Sequence, residues 1–266
     1  MNYENLVLSG GGVKGYTYIG IIKALTEKGI LKNIKNINSC SAGSFFGLLI
    51  CLNYSYEEIY KILININLEN KLNFYNNKID IITMFIENYG LDDGKELIRV
   101  VEIFIKNKFK KNNITFKELY EYSKINFIVT TTNLTKNKTE YFNHTLTPNV
   151  DVSLILRMSI SIPFIFTPVS YNNYMYVDGG LTNNFPIDYF NDEIEKTIGI
   201  SLSYLYDNNL DSLDEYIYSI INCIYNCIDI QKIKRYKNNV ILLNNNCKSI
   251  NFNISIEKKK ELIREG

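Results

Sequence analysis

Ser41 sits in Ser39-Cys40-Ser41-Ala42-Gly43, between a short apolar run and a helical apolar pattern. This is the outline of G-x-S-x-G, a sharp strand-to-helix turn that exposes a serine Oγ, with Ser39 in place of the first glycine. Small residues are needed because strand and helix backbones meet there, and Ser, Ala and Gly all qualify. A helix N-terminus behind Ser41 would also favour negative charge on its oxygen. The plainer reading is a serine that only caps a helix. Gly10-Gly11-Gly12-Val13-Lys14-Gly15 stands at a second strand-to-helix junction. Its unshielded N–H groups suit a pyrophosphate or the oxyanion of acyl transfer, and otherwise a turn for close packing. Asp178-Gly179-Gly180 follows the strand pattern Tyr174–Val177, with Asn183, Asn184 and Pro186 just behind. An Asp before two glycines is often just a turn. In a parallel sheet, however, strand carboxyl ends share one edge, so Asp178 is expected to face Ser41.

A serine needs a base, and the sequence holds one histidine, His144, in a polar stretch near Pro148. A Ser-His-Asp triad through His144 stays open. The alternative is a Ser41–Asp178 dyad in which the carboxylate takes the serine proton itself. Carboxylates are weak bases at neutral pH, so the dyad requires desolvation of Asp178 and strong support for the oxyanion. Two nucleotide readings of the glycine run fail. A dinucleotide fold would place an acidic residue at the end of the second strand, where Asn38-Ser39-Cys40-Ser41 stands, and no Gly-Lys-Ser/Thr follows the glycines.

The elements that would carry these residues alternate along the chain. Tyr3–Leu8 reads as a strand, Tyr16–Leu25 as a helix, Ile34–Asn38 as a strand and Ser41–Leu52 as a helix. Ser55-x-x-Glu58, Asp93-x-x-Glu96 and Thr115-x-x-Glu118 read as capping boxes opening three helices. Ile125–Thr132 and Thr139–Asn143 read as a hairpin, Val152–Met158 as a helix, and Tyr174–Val177, Thr197–Ser203 and Val240–Leu243 as strands. Leu213, Ile217, Ile220, Ile221, Ile224 and Ile228 predict an amphipathic helix, with Cys223 and Cys227 as small core residues. Ile256 opens a final helix. The order predicts an α/β fold, a central mostly parallel sheet flanked by helices, with 1–266 as one domain.

Composition narrows the function. The 29 Lys and Arg balance 28 Asp and Glu, so no overall field exists to hold nucleic acid. Five cysteines without a Cys-x-x-Cys pair, and one histidine, call for no metal and read as reduced thiols. The N-terminus lacks the pattern of a signal peptide, and no apolar run nears the roughly 18 residues of a membrane span. The expectation is a cytoplasmic protein. Lys106–Lys111 reads as a solvated helix end more readily than a headgroup contact. Phe45 and Phe46, or the Phe164–Phe166 loop, are candidates for an apolar rim.

Four segments, Leu8–Gly15, Ser39–Gly43, Ser159-Ile-Ser-Ile-Pro-Phe164 and Val177–Pro186, resemble in order and spacing the patatin-like phospholipases. The resemblance covers nearly the whole chain and implies a patatin-like variant of an α/β-hydrolase-type architecture. It implies a lipid acyl hydrolase of phospholipase A or lysophospholipase type, with Ser41 as nucleophile and Asp178 as base. The Gly10–Gly15 loop then resembles the oxyanion hole, with Gly11 and Gly12 as main donors and Lys14 in the usual basic position. No cofactor is implied. The partners are an acyl lipid, phospholipid or other, and transiently a membrane surface. Glu257–Gly266 is similar to the start of the family's last helix, an expectation that the native chain runs further. The competing reading is a catalytically silent lipid-binding protein of the same fold.

Overall fold

Asn5–Leu8 (β1) is buried at every position, which a strand tolerates only when both faces are covered. In the computed structural model, which describes residues 2–66, 85–203, 210–211, 213–244, 247–248 and 251–266, β1 is central. It pairs in parallel with Asn36–Cys40 (β2) on one side and Thr197–Ser203 (β9) on the other. Val240–Asn244 (β10) extends the sheet in parallel beyond β9, and Asn126–Asn133 (β4) does so beyond β2. Past β4 the direction reverses. Tyr174–Asp178 (β8) runs antiparallel to β4, Val169–Tyr171 (β7) antiparallel to β8, and Lys138–Phe142 (β5) forms the expected hairpin with β4. Gly90–Asp92 (β3) and Phe164–Phe166 (β6) make a separate parallel pair.

Side-chain alternation along β1 assigns the two layers. Leu6 and Leu8 join the larger core with Thr17–Glu27 (α1), Ala42–Cys51 (α2), Tyr56–Leu63 (α3), Lys95–Phe109 (α4), Phe116–Ser123 (α5) and Val152–Ser159 (α6). Val7 faces the other way, onto Phe185, Ile187, Phe190 and Tyr236. Gly180–Asn183 (α7), Leu213–Arg235 (α8) and Ile256–Glu265 (α9) complete the helices discussed below.

Ser55 and Thr115 form their capping boxes, each side chain accepting from the backbone of Glu58 or Glu118. Asp93 does not. The α4 cap is Gly94, in the left-handed region at φ 64°, and Asp93 instead accepts from the Lys95 amide. Arg157 enforces this turn: its Nε donates to the Asp93 carbonyl and lies 2.5 Å from where a Cβ on Gly94 would stand.

The α8 expectation holds for Ile217, Ile221 and Ile224, which pack into a core, and needs correcting elsewhere on the helix. Its buried side chains include Tyr218, Ile221, Asn222, Tyr225 and Asp229, whereas Ile220 is 40% exposed and Cys223 and Cys227 are exposed. The helix turns a mixed, partly polar face inward because that face lies over polar structure near Asp178. The Leu213 side chain lies outside the described residues.

Candidate active site

Ser41 has φ 49° and ψ −125°, a conformation that is costly for any residue with a Cβ. Neighbouring atoms impose it. The Ser41 amide donates to Ser159 Oγ at 2.9 Å, and Ser159 Oγ in turn donates to the Thr130 carbonyl on β4 at 2.8 Å. At Gly43 a Cβ would stand 2.5 Å from both the Leu8 and Ser9 carbonyls, so only glycine lets α2 begin this close to β1. Ser39 substitutes for glycine by sinking its hydroxyl into the sheet, donating to the Ile128 carbonyl at 3.3 Å. Ala42 follows Ser41 as the first residue of α2, while Cys40 is wholly buried. This is the turn that the Ser39–Gly43 spacing predicts.

Asp178 reaches Ser41 by a different route from the one expected. The two do not share the edge of a parallel sheet, because β8 is antiparallel. Cys40 is in register with Thr130, and Thr131 with Asp178, so the descending β8 delivers the acid two strands from the elbow and at its level. The Asp178 amide donates to the Ser161 carbonyl at 2.9 Å. Ser159 and Ser161, two residues apart, thus tie Ser41 and Asp178 to one short segment. The sequence marks that segment by resemblance, but nothing in its residue types reveals this role.

The Asp178 carboxyl is fully buried. Oδ1 accepts from the Gly180 amide at 2.7 Å and lies 3.8 Å from Cys40 Sγ, while Oδ2 has no well-formed hydrogen bond. Burial pushes its pKa up to about 6, opposed by hydrogen bonding from Ser41, the Gly180 amide, Cys40 and Tyr225. Gly179 packs where a Cβ would stand 2.4 Å from the Thr130 carbonyl, and one on Gly180 would meet the Tyr225 ring at 2.6 Å.

The glycine loop approaches the elbow from β1. A Cβ on Gly10 would lie 3.1 Å from Ser41 Cβ, and one on Gly15 would lie 3.2 Å from Ala42 Cβ. The Gly10 amide is committed to the Asn184 carbonyl at 3.1 Å. Gly12 has φ 54° and begins a 3-10 helix, Gly12–Tyr16, preceded by Gly11. Lys14 has no exposed surface; burial lowers its pKa to about 8, with the Cys247 thiol opposing. Lys14 therefore presents no charge to a headgroup in solvent.

His144 stands elsewhere. Its Nδ1 is 2.9 Å from Asn126 Oδ1, and its ring stacks on Tyr120 at 3.7 Å. Asn126 opens β4, four residues before Thr130, which places the imidazole near the opposite end of that strand, about 13 Å of strand rise away. An apolar cavity of about 130 Å³ does adjoin Ser41, walled by Gly12, Phe46, Val100, Leu156 and Phe166 among others. Phe45 and Phe46 line it and form no outer rim; Phe164, 44% exposed, is the residue at the surface.

The sequence pattern of the patatin-like phospholipases matches residues 6–191, a span that holds the elbow, the acid and the glycine loop. The chain belongs to the patatin-like phospholipase family. As a member it is an enzyme of the lipid-hydrolase class. An uncharacterised protein of Acanthamoeba polyphaga mimivirus is 32% identical over 99% of this chain and 91% of its own length. A protein named probable lipid hydrolase, from Invertebrate iridescent virus 6, is 34% identical over 70% of this chain and 62% of its own. In fold, the chain is similar to VipD from Legionella pneumophila, with a TM-score of 0.65 at 15% identity, covering 100% of this chain and 65% of VipD. Among the described residues, no helix is long and apolar enough to cross a membrane.

Proposed function

We propose that this patatin-like phospholipase cleaves fatty acyl esters through a Ser41–Asp178 dyad and a covalent acyl-enzyme. The observation that carries the reading is a strained serine beside a buried carboxyl whose Oδ2 lacks a well-formed hydrogen bond. Asp178 accepts the Ser41 proton as Oγ attacks the ester carbonyl carbon. The carbonyl oxygen, now negative, takes hydrogen bonds from the Gly11 and Gly12 amides, preorganised in a largely buried loop. Collapse of this intermediate expels the alcohol, which leaves with the proton held by Asp178. Water then repeats the sequence: Asp178 removes its proton, the hydroxyl attacks the acyl carbon, and Ser41 Oγ leaves with that proton as the fatty acid departs. A base with a pKa near 6 serves this task better at neutral pH than an ordinary aspartate.

The apolar cavity at Ser41 suits the acyl chain, which leaves the polar part of a phospholipid, lysophospholipid or other acyl lipid outside. Near its wall the surface is apolar too. Strand β6 runs from Phe166 in the cavity wall to exposed Phe164, which stacks on Phe85 at 6.1 Å beside exposed Ile86 and Tyr89. We assign this patch to transient contact with a membrane surface, made by a cytoplasmic enzyme.

A fluorophosphonate probe tests the catalytic reading against the silent lipid-binding alternative, because it reacts only with an activated serine. Labelling should occur in the wild type and vanish in Ser41→Ala, together with hydrolysis of a short-chain nitrophenyl ester. Unlabelled, folded wild type would favour the silent protein. A labelled or active Ser41→Ala would move the nucleophile elsewhere.

A further inference from the structure

Helix α8 lies beyond the residues matched to the family, yet one of its faces meets the underside of the site. Tyr225, Asp229 and Lys232 are spaced four and three apart and so share that face. Asp229 is 2% exposed, and its Oδ2 accepts from Asn184 Nδ2 at 2.7 Å. Asn184 is itself fully buried and touches both glycine motifs. Its carbonyl accepts from the Gly10 amide, while its Oδ1 would stand 2.3 Å from a Cβ on Gly10 and 3.0 Å from one on Gly180. The amide is thus a spacer between the glycine loop and the turn that follows Asp178, in a gap open only because glycine stands on each side.

The ionised Asp229 carboxylate holds the orientation of that spacer through the Asn184 Nδ2 hydrogen bond. Asn184 Oδ1 is buried without a hydrogen-bond partner, an arrangement an unrestrained amide would relieve by turning over. Turning would set its oxygen against the Asp229 carboxylate, which accepts and cannot donate when ionised. Alongside, Lys232 Nζ donates to Asn183 Oδ1 and Asp188 Oδ1, at 2.5 and 2.6 Å, fixing the flank of the same segment. Burial pushes the Asp229 pKa up to about 7, with the Asn184 hydrogen bond and the Lys232 charge opposing it, so the fold keeps this carboxyl buried at a cost.

We infer that Asp229 is a positioning residue: acting through Asn184, it sets the separation between the oxyanion loop and the Asp178 turn. The inference rests on the dyad reading, in which those two parts must meet around one ester. A misplacement of about 1 Å at such a site can cost on the order of a hundredfold in rate.

The test compares Asp229→Asn, Asp229→Leu, Asn184→Ala and the Asp229→Leu/Asn184→Ala double variant, with kcat and KM measured on a nitrophenyl ester. Asp229→Ala is made in parallel, so that the comparison stands if the leucine variant does not fold, and circular dichroism melts report folding. Asp229→Asn still offers an acceptor to Asn184 Nδ2 and should stay within about threefold of wild-type kcat. Asp229→Leu and Asn184→Ala should each lose about tenfold to a hundredfold in kcat, with KM within about threefold because the acyl cavity is untouched. The double variant should be no worse than the worse single. A folded Asp229→Leu or Asp229→Ala with wild-type kcat overturns the inference, as does a loss confined to KM or one that multiplies in the double variant. Ser41→Ala separates the two levels. If it is inactive while Asp229→Leu is unaffected, only the positioning role fails; if it is active, the dyad fails and this inference with it.

Discussion

At pH 7 an ionised and fully buried Asp178 is a burden on the folded state, because its pKa is about 6 in the fold and near its ordinary 3.8 in the unfolded chain. Between these values the folded protein holds the proton more tightly, so this residue's contribution to stability falls as pH rises from about 4 to above 6. The difference corresponds to about 3 kcal/mol. Asp178→Asn keeps an oxygen for the Gly180 amide and removes the ionisation. It should therefore be inactive and yet more stable than wild type at pH 8, by up to about 3 kcal/mol, with the gain vanishing near pH 3.5. Urea unfolding at the two pH values checks this, and an inactive variant with no added stability at pH 8 would contradict the burial argument. Under the proposed dyad the same titration sets the rate: wild-type kcat should rise through pH 6 as Asp178 ionises and level off above it. The turns at Ser41 and Asp178 were legible in the sequence because close packing there demands small neighbours, Gly43 in one and Gly179-Gly180 in the other. The pairing of Asn184 with Asp229 was not, because 45 residues separate them and nothing in an Asn or an Asp advertises a partner that far away.

Position along the sheet separates the two candidate bases. Ser41 follows β2 at the level of Thr130, whereas His144 is held by Asn126 at the start of β4. His144→Ala should therefore leave kcat on a nitrophenyl ester within about twofold of wild type and cause no inflection to disappear from the pH profile. A folded but inactive His144→Ala would restore the triad, since deleting a catalytic histidine costs on the order of 10⁴-fold or more. Most elements were readable from apolar spacing, and two of three caps from their side chains. The failures share a cause. At Asp93, a glycine in the left-handed region and a buried Arg157 from a distant helix overrode the local cap. In α8 Ile217, Ile221 and Ile224 do pack inward, but the inward face also serves buried polar groups, so that Asn222 and Asp229 are inside while Ile220, Cys223 and Cys227 are outside. The direction of β8 was also illegible, since an antiparallel strand has the same composition and length as a parallel one.

For the molecule as a whole, balanced charge leaves apolar area as its means of meeting lipid. The exposed group of Phe85, Ile86, Tyr89 and Phe164 is unusual in two respects. Phe164 and Tyr89 both hold positive φ, at 70° and 59°, which is costly for aromatic residues, and the cluster adjoins the strand whose Phe166 walls the apolar cavity at Ser41. Aromatic side chains held exposed at an energetic cost support the proposed membrane contact. Replacing Ile86 and Phe164 by Ser removes apolar contact without touching Ser41, Asp178 or the glycine loop. The rate on phospholipid vesicles should fall about tenfold or more, and sedimentation with those vesicles should weaken in parallel. The rate on a soluble short-chain nitrophenyl ester, which needs no membrane, should stay within about twofold. Equal losses on both substrates would place these residues in the catalytic structure. No loss on vesicles would remove the patch from membrane contact altogether, and the lipid would have to enter from another face.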